Sequence, residues 1–244
     1  MRISHVLHPE FIMAPTPWID LSHPISKATP PFPGDPTVEI IRLDETDESK
    51  DEPRKNLNIG RLAMCLHCGT HMDAPYHFFG NGKTIDQISL EQCVGTAYLL
   101  DLAPDLDPIE NHVITCGTLA TTELANIQPR KLIIRTGWES HWLKKDYFTS
   151  HPVFSRDGAR FLVDLGVELV GVDFPSVDHR PNEAHREILG RGVLIVENLT
   201  NLGAIPQGWI EFSATPLAIL GRDGSPVRAI ARPLTVPKTS SSKV

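Results

Sequence analysis

The chain has 244 residues, a formal net charge of −7, 41% hydrophobic residues and 22% charged residues. This length favours one large domain over two cramped ones, and the balance excludes both a disordered chain and a membrane-embedded body. The acidic excess argues against a protein built to grip phosphate backbones, so no nucleic-acid partner is expected. The longest apolar runs fall well short of the ~20 residues of a transmembrane helix, so no membrane partner is expected either. Near the N-terminus, His5, His8, Pro9 and Glu10 interrupt what a signal peptide would keep apolar. Cys65, Cys68, Cys93 and Cys116 are too few in a chain this long for a disulfide framework. A cytoplasmic protein is expected.

In chain order, Pro30, Pro31, Pro33 and Pro36 around Gly34 predict a rigid, extended loop. Residues 38–43 read as a short strand and 44–55 as an exposed loop of alternating acids and bases. The alternation over 57–67 predicts a strand that has His67 at its end and Cys65 in the core. Further strands are predicted at 96–102, 131–136, 168–172, 192–197 and 227–231. Helices are predicted at 118–126, 157–165 and 183–189, the last two stopping before Gly166 and Gly190. Strands and helices in this order predict an α/β fold, a mixed sheet with packed helices. One domain is expected over 1–236, with a disordered tail at 237–244. Trp138, Trp142 and Tyr147 read as packing aromatics or an oligomer contact. No glycine-rich phosphate loop is present.

The densest chemistry lies in His67-Cys68-Gly69-Thr70-His71-Met72-Asp73-Ala74-Pro75-Tyr76-His77, which holds three of the eleven histidines in eleven positions. Two imidazoles and a carboxylate, as in His67, His71 and Asp73, form a three-ligand set for Zn(II) or Mn(II) that leaves coordination positions open for chemistry. Gly69 permits the turn that brings His67 back towards His71 and Asp73, and Pro75 breaks any continuous helix. Ordinary loop histidines with a capping Asp, or a purely structural metal, remain alternatives from spacing alone. Glu197 follows four apolar residues in a buried strand, a costly place for a carboxylate unless it is paired or metal-bound. His185 taken alone reads as a surface helix residue. Asp20, Asp173 and Asp178 either orient ligand imidazoles or cap turns.

The eleven-residue run resembles the His-x-x-Gly-Thr-His-x-Asp-x-Pro-x-His signature of the cyclase family, which includes bacterial kynurenine formamidases, isatin hydrolases and trans-dienelactone hydrolases. One residue rather than two separates His67 from Gly69, but the spacing of His67, His71, Asp73 and His77 matches that of the formamidases. Asp20-Leu21-Ser22, Pro33-Gly34-Asp35 and Asp173-Phe174-Pro175-Ser176-Val177-Asp178 resemble further family elements, as do His185 and Glu197 twelve residues apart. The resemblance covers about residues 18–232 and implies a swivelling β/β/α domain.

It also implies a first metal on His67, His71 and Asp73, a second on His185, and Asp73 and Glu197 bridging the two. Zn(II) is the expected ion, with Mn(II) as the alternative, at one or two per subunit. The implied chemistry is hydrolysis of an amide, cyclic amide or lactone by metal-bound hydroxide, with His77 as general acid and base, or else as a fourth ligand. The small-molecule substrate most specifically implied is N-formyl-L-kynurenine, and a ring-opening enzyme with a single metal or a non-catalytic binding protein are the rivals. Phe32 stands where the formamidases carry a pocket-lining Trp. Family members assemble as homodimers or homotetramers, and the same is expected here.

Overall fold

In the computed structural model, residues 16–44, 58–103 and 113–234 are described. The N-terminal extension, most of the 44–55 loop and the 237–244 tail lie outside them. The chain opens with β1 (Ile19–Asp20), β2 (Glu39–Asp44), β3 (Ile59–Ala63) and β4 (His71–Asp73). It continues through α1 (Leu90–Cys93), β5 (Val94–Asp101), β6 (Val113–Ile114), α2 (Cys116–Ala120), α3 (Leu124–Ile127) and β7 (Lys131–Arg135). Next come β8 (Val153–Phe154), α4 (Arg156–Asp164), β9 (Leu169–Val172), α5 (Glu183–Leu189) and β10 (Leu194–Glu197). The last strands are β11 (Gly208–Ser213), β12 (Gly224–Pro226) and β13 (Ile230–Pro233).

The Val, Ile and Leu runs make the centre of one nine-stranded sheet in the order β1-β13-β11-β5-β7-β9-β10-β4-β12. The pairs β5/β7, β7/β9 and β9/β10 are parallel, and the flanking pairs are antiparallel. Parallel strands are covered on both faces and so carry apolar residues throughout. Alternate side chains feed two cores: Leu100, Ile134, Val172 and Ile195 face the layer packed with α4 and α5, whereas Leu99, Ile133, Leu194 and Val196 face a second layer with Leu21, Met72 and Phe212. Each such fully buried side chain contributes roughly 1.5–3 kcal/mol of apolar transfer free energy, which makes the central strands a firm platform. The expected α/β mixed sheet with packed helices is the observed architecture.

Several local expectations are corrected. The strand at 57–67 ends at Ala63, and His67 lies beyond it in a turn, because Gly69 takes φ +68 and redirects the chain into β4. The helix at 118–126 divides into α2 and α3, where Thr121 and Thr122 turn their hydroxyls onto the carbonyls of Thr118 and Leu119. The last strand is displaced to Ile230–Pro233. Helix α5 spans the predicted residues and stops before Gly190, as expected. No helix among the described residues is long and apolar enough to cross a membrane.

Candidate metal centre

In β4, successive side chains point to opposite faces, so Met72 enters the core while His71 and Asp73 share the other face. Antiparallel pairing sets Glu197 of β10 directly opposite His71. Helix α5 brings His185 over the same spot, and its imidazole is buried rather than on the surface, which removes the surface-residue alternative. His71, Asp73, His185 and Glu197 are all at least 95% buried.

Each inward-facing imidazole is held from behind. His71 Nδ1 donates to the Gly69 carbonyl at 2.9 Å, and His185 Nδ1 donates to Asp178 Oδ1 at 2.6 Å. The second Asp178 oxygen accepts the N–H groups of Ala184 and His185, so one carboxylate fixes both the ring and the helix start. The Gly69 carbonyl also accepts Asn198 Nδ2 at 3.0 Å, and Asn198 Oδ1 accepts the hydroxyl of fully buried Tyr147 at 2.7 Å. Tyr147 thus supports the His71 side of the site as well as packing. Of the three aspartates suspected of orienting ligands, only Asp178 does so. Asp173 accepts from Thr136 and Gly137, and Asp20 pairs with Arg228.

These bonds leave Nε2 of both histidines facing the carboxylates. His71 Nε2 lies 3.3 Å from Asp73 Oδ1 and 3.4 Å from Glu197 Oε2; His185 Nε2 lies 3.5 Å from Glu197 Oε1 and 3.8 Å from Asp73 Oδ2. Those spacings are long for hydrogen bonds. They match the donor-to-donor edge of about 3.4 Å around a tetrahedral ion with ligand bonds of ~2.1 Å. Ligand atoms within 4.8 Å of one another occur in the groups His67–His71–Asp73 and Asp73–His185–Glu197.

Electrostatics point the same way. Burial resists the ionisation of Asp73, but His67 and His71 hold its carboxyl well below the usual range, whereas burial and the Asp73 charge push Glu197 up. Burial also resists protonation of His67 and His185, yet their carboxylate neighbours raise them to about 11 and about 10. Two adjacent buried carboxylates therefore draw positive charge to this place, and a divalent cation on the same donors supplies it.

His67 and His77 form the outer edge. His67 donates from Nδ1 to Asp73 Oδ1 and from Nε2 to Asp223 Oδ2, both at 2.7 Å. His77, in the single turn Pro75–His77, lies 4.0 Å from the His67 ring between centroids, with Nδ1 3.4 Å from the same Asp223 oxygen. Burial lowers the His77 pKa, and the hydrogen bond from His67 holds Asp223 far below the carboxylate range. Sequence reasoning missed Asp223 because no motif surrounds it. The pairing of β12 with β4 delivers it, and Gly224 makes room for His67, since a Cβ there would come 2.7 Å from His67 Cε1.

A cavity of about 570 Å³ opens over these groups. Phe32, 44% exposed, and Phe78 line it, so the substrate-binding candidate stands at the site. Cys65, expected in the core, is instead half-buried and lines this cavity, because the chain has left the β2–β3 ribbon before reaching it.

The profile of the putative cyclase family matches residues 19–179. A kynurenine formamidase of Bacillus cereus is 34% identical over 91% of this chain and the whole of that protein. Among solved structures, a potential metal-dependent hydrolase with cyclase activity is 25% identical with a TM-score of 0.72, covering 88% of this chain and 97% of that one. An isatin hydrolase bound to the product analogue thioisatinate shares the fold at a TM-score of 0.78 and 20% identity, covering 90% and 92% of the two chains. The chain belongs to the putative cyclase family and is a hydrolase.

Proposed function

We propose that this chain is an arylformamidase that hydrolyses N-formyl-L-kynurenine to kynurenine and formate, a step of tryptophan breakdown. One observation carries the proposal: His77, His71, His185 and Glu197 line one cavity with Phe32 and Phe78, over the buried Asp73, in a chain a third identical to a kynurenine formamidase. His71, Asp73, His185 and Glu197, with His67 at the edge, would hold one or two divalent ions, Zn(II) first and Mn(II) second. A bound ion of this kind polarises a carbonyl oxygen and lowers the pKa of water.

The remaining chemistry belongs to the protein. Phe32 and Phe78 flank the aryl ring. Asp223, 3.4 Å from His77 Nδ1, draws that edge of the ring towards it and leaves Nε2 for proton transfer. His77 takes a proton as water adds to the formyl carbon, and returns it to the aniline nitrogen as the C–N bond breaks. A ring-opening hydrolase with a single ion, in which His185 and Glu197 would hold no second one, is the second reading, favoured by the fold shared with an isatin hydrolase. Counting ions per chain separates the two.

The test is kynurenine formation by chelator-stripped protein with Zn(II) or Mn(II) added back. Turnover is expected to return with metal, and His77→Ala is expected to keep its metal while losing roughly 10²- to 10⁴-fold in rate. Metal-loaded protein that leaves N-formyl-L-kynurenine intact would overturn the substrate, and a His77→Ala protein of full activity would overturn the proton-transfer role. We further propose a cytoplasmic homodimer or homotetramer. Four unpaired cysteines support the compartment, and light scattering decides the assembly.

A further inference from the structure

The cavity is rich in negative charge: Asp35, Asp178, Glu197 and Asp223 all line it. Arg180 is the one Lys or Arg side chain among its lining residues. Most arginines elsewhere are engaged: Arg135 pairs with Asp101, Arg228 with Asp20, and Arg186 lies over the Phe78 ring. Arg180 is exposed and makes no ion pair or hydrogen bond with any described residue. Its backbone is nevertheless anchored. Asp178 just before it accepts the N–H groups of Ala184 and His185 just after it, and Asn182 N–H donates to the His179 carbonyl. The guanidinium is therefore free while its Cα is tied to the element that presents His185.

Resting on the arylformamidase reading, we infer that Arg180 is a specificity-determining residue that binds a carboxylate on the substrate, remote from the bond that is cleaved. A planar guanidinium fork matches a carboxylate with two parallel hydrogen bonds. Without it, a carboxylate entering this cavity meets Asp35 and carboxylates already paired with the histidines of the centre. Its other attraction is to those histidines and the ion they would hold, where it would displace the scissile carbonyl. Arg180 draws the charged end to the rim and leaves the amide end for the centre. The substrate class is thus an aryl amide carrying a carboxylate, such as the amino-acid side of N-formyl-L-kynurenine, and not a neutral ring.

The experiment compares the parent chain, Arg180→Ala and Arg180→Lys, each metal-loaded, on N-formyl-L-kynurenine and on 2-formamidoacetophenone, which keeps the aryl formamide but lacks the carboxylate. Arg180→Ala is expected to raise KM for the first substrate by about 10- to 100-fold, the usual loss for a hydrogen-bonded charge. Its kcat should be retained and the second substrate unaffected, while Arg180→Lys recovers part of the loss. Calorimetric binding of L-kynurenine and 2-aminoacetophenone gives a readout independent of turnover, and only the former should weaken in Arg180→Ala. Equal effects on both members of either pair, or none, would overturn the carboxylate role. Failure of the parent chain to hydrolyse either formamide would overturn the arylformamidase reading alone, with the binding contrast still deciding for or against Arg180.

Discussion

Replacing Asp178 by Asn probes the centre without touching any proposed ligand. The carboxylate accepts three bonds, from His185 Nδ1 at 2.6 Å, Ala184 N at 2.6 Å and His185 N at 3.0 Å. The amide keeps one acceptor oxygen, so in either orientation its NH2 group faces at least one of these donors. If the oxygen stays with the two backbone N–H groups, His185 loses its charge-assisted bond, worth ~1.5–3 kcal/mol. That corresponds to a fall of roughly 10- to 150-fold in the affinity of an ion that depends on His185, in line with the ~10–100-fold cost of removing a residue that orients a metal ligand. If the oxygen turns to His185, two backbone donors are orphaned at the start of α5 and the cost falls on stability. The assay is titration of stripped protein with Zn(II) against a competing chelator, alongside urea unfolding of the stripped protein. The parent affinity and stability retained together in Asp178→Asn would refute the assignment of Asp178 as the group that positions His185.

At Gly224, Ala would bring a Cβ within 2.7 Å of His67 Cε1 and 2.9 Å of the Met72 carbonyl oxygen. The expected cost of this overpacking is about 1–3 kcal/mol, together with reduced activity as His67 shifts; unfolding midpoint and turnover equal to those of the parent chain would count against the close fit. His151 is fully buried and donates from Nδ1 to the Pro152 carbonyl, and burial lowers its pKa from 6.5 to about 4. As pH falls, the unfolded chain takes up this proton first, so the stability contribution present above pH 6.5 is lost progressively down to about pH 4. By pH 5 the loss is about 2 kcal/mol. Urea melts across this range should show a shallower pH slope in His151→Leu than in the parent chain, and identical slopes would sink the assignment.

What the sequence determined was local. The ligand residue types and their spacing at His71 and Asp73, and Glu197 at the end of a buried strand, could be read directly, whereas the short strand that puts His71 and Asp73 on one face could not. The span of α5 was legible too, from its helical residues and the glycine that follows. Tertiary structure decided what these groups meet. Asp223 reaches His67 across 156 positions because β12 pairs with β4. Tyr147 and Asn198 come together to support the Gly69 carbonyl from elements far apart in the chain. The burial of His185, the exposure of Cys65 to the cavity and the unpartnered guanidinium of Arg180 are likewise consequences of packing. No local pattern encodes them, because the free energy that places them comes from apolar layers assembled from the whole chain.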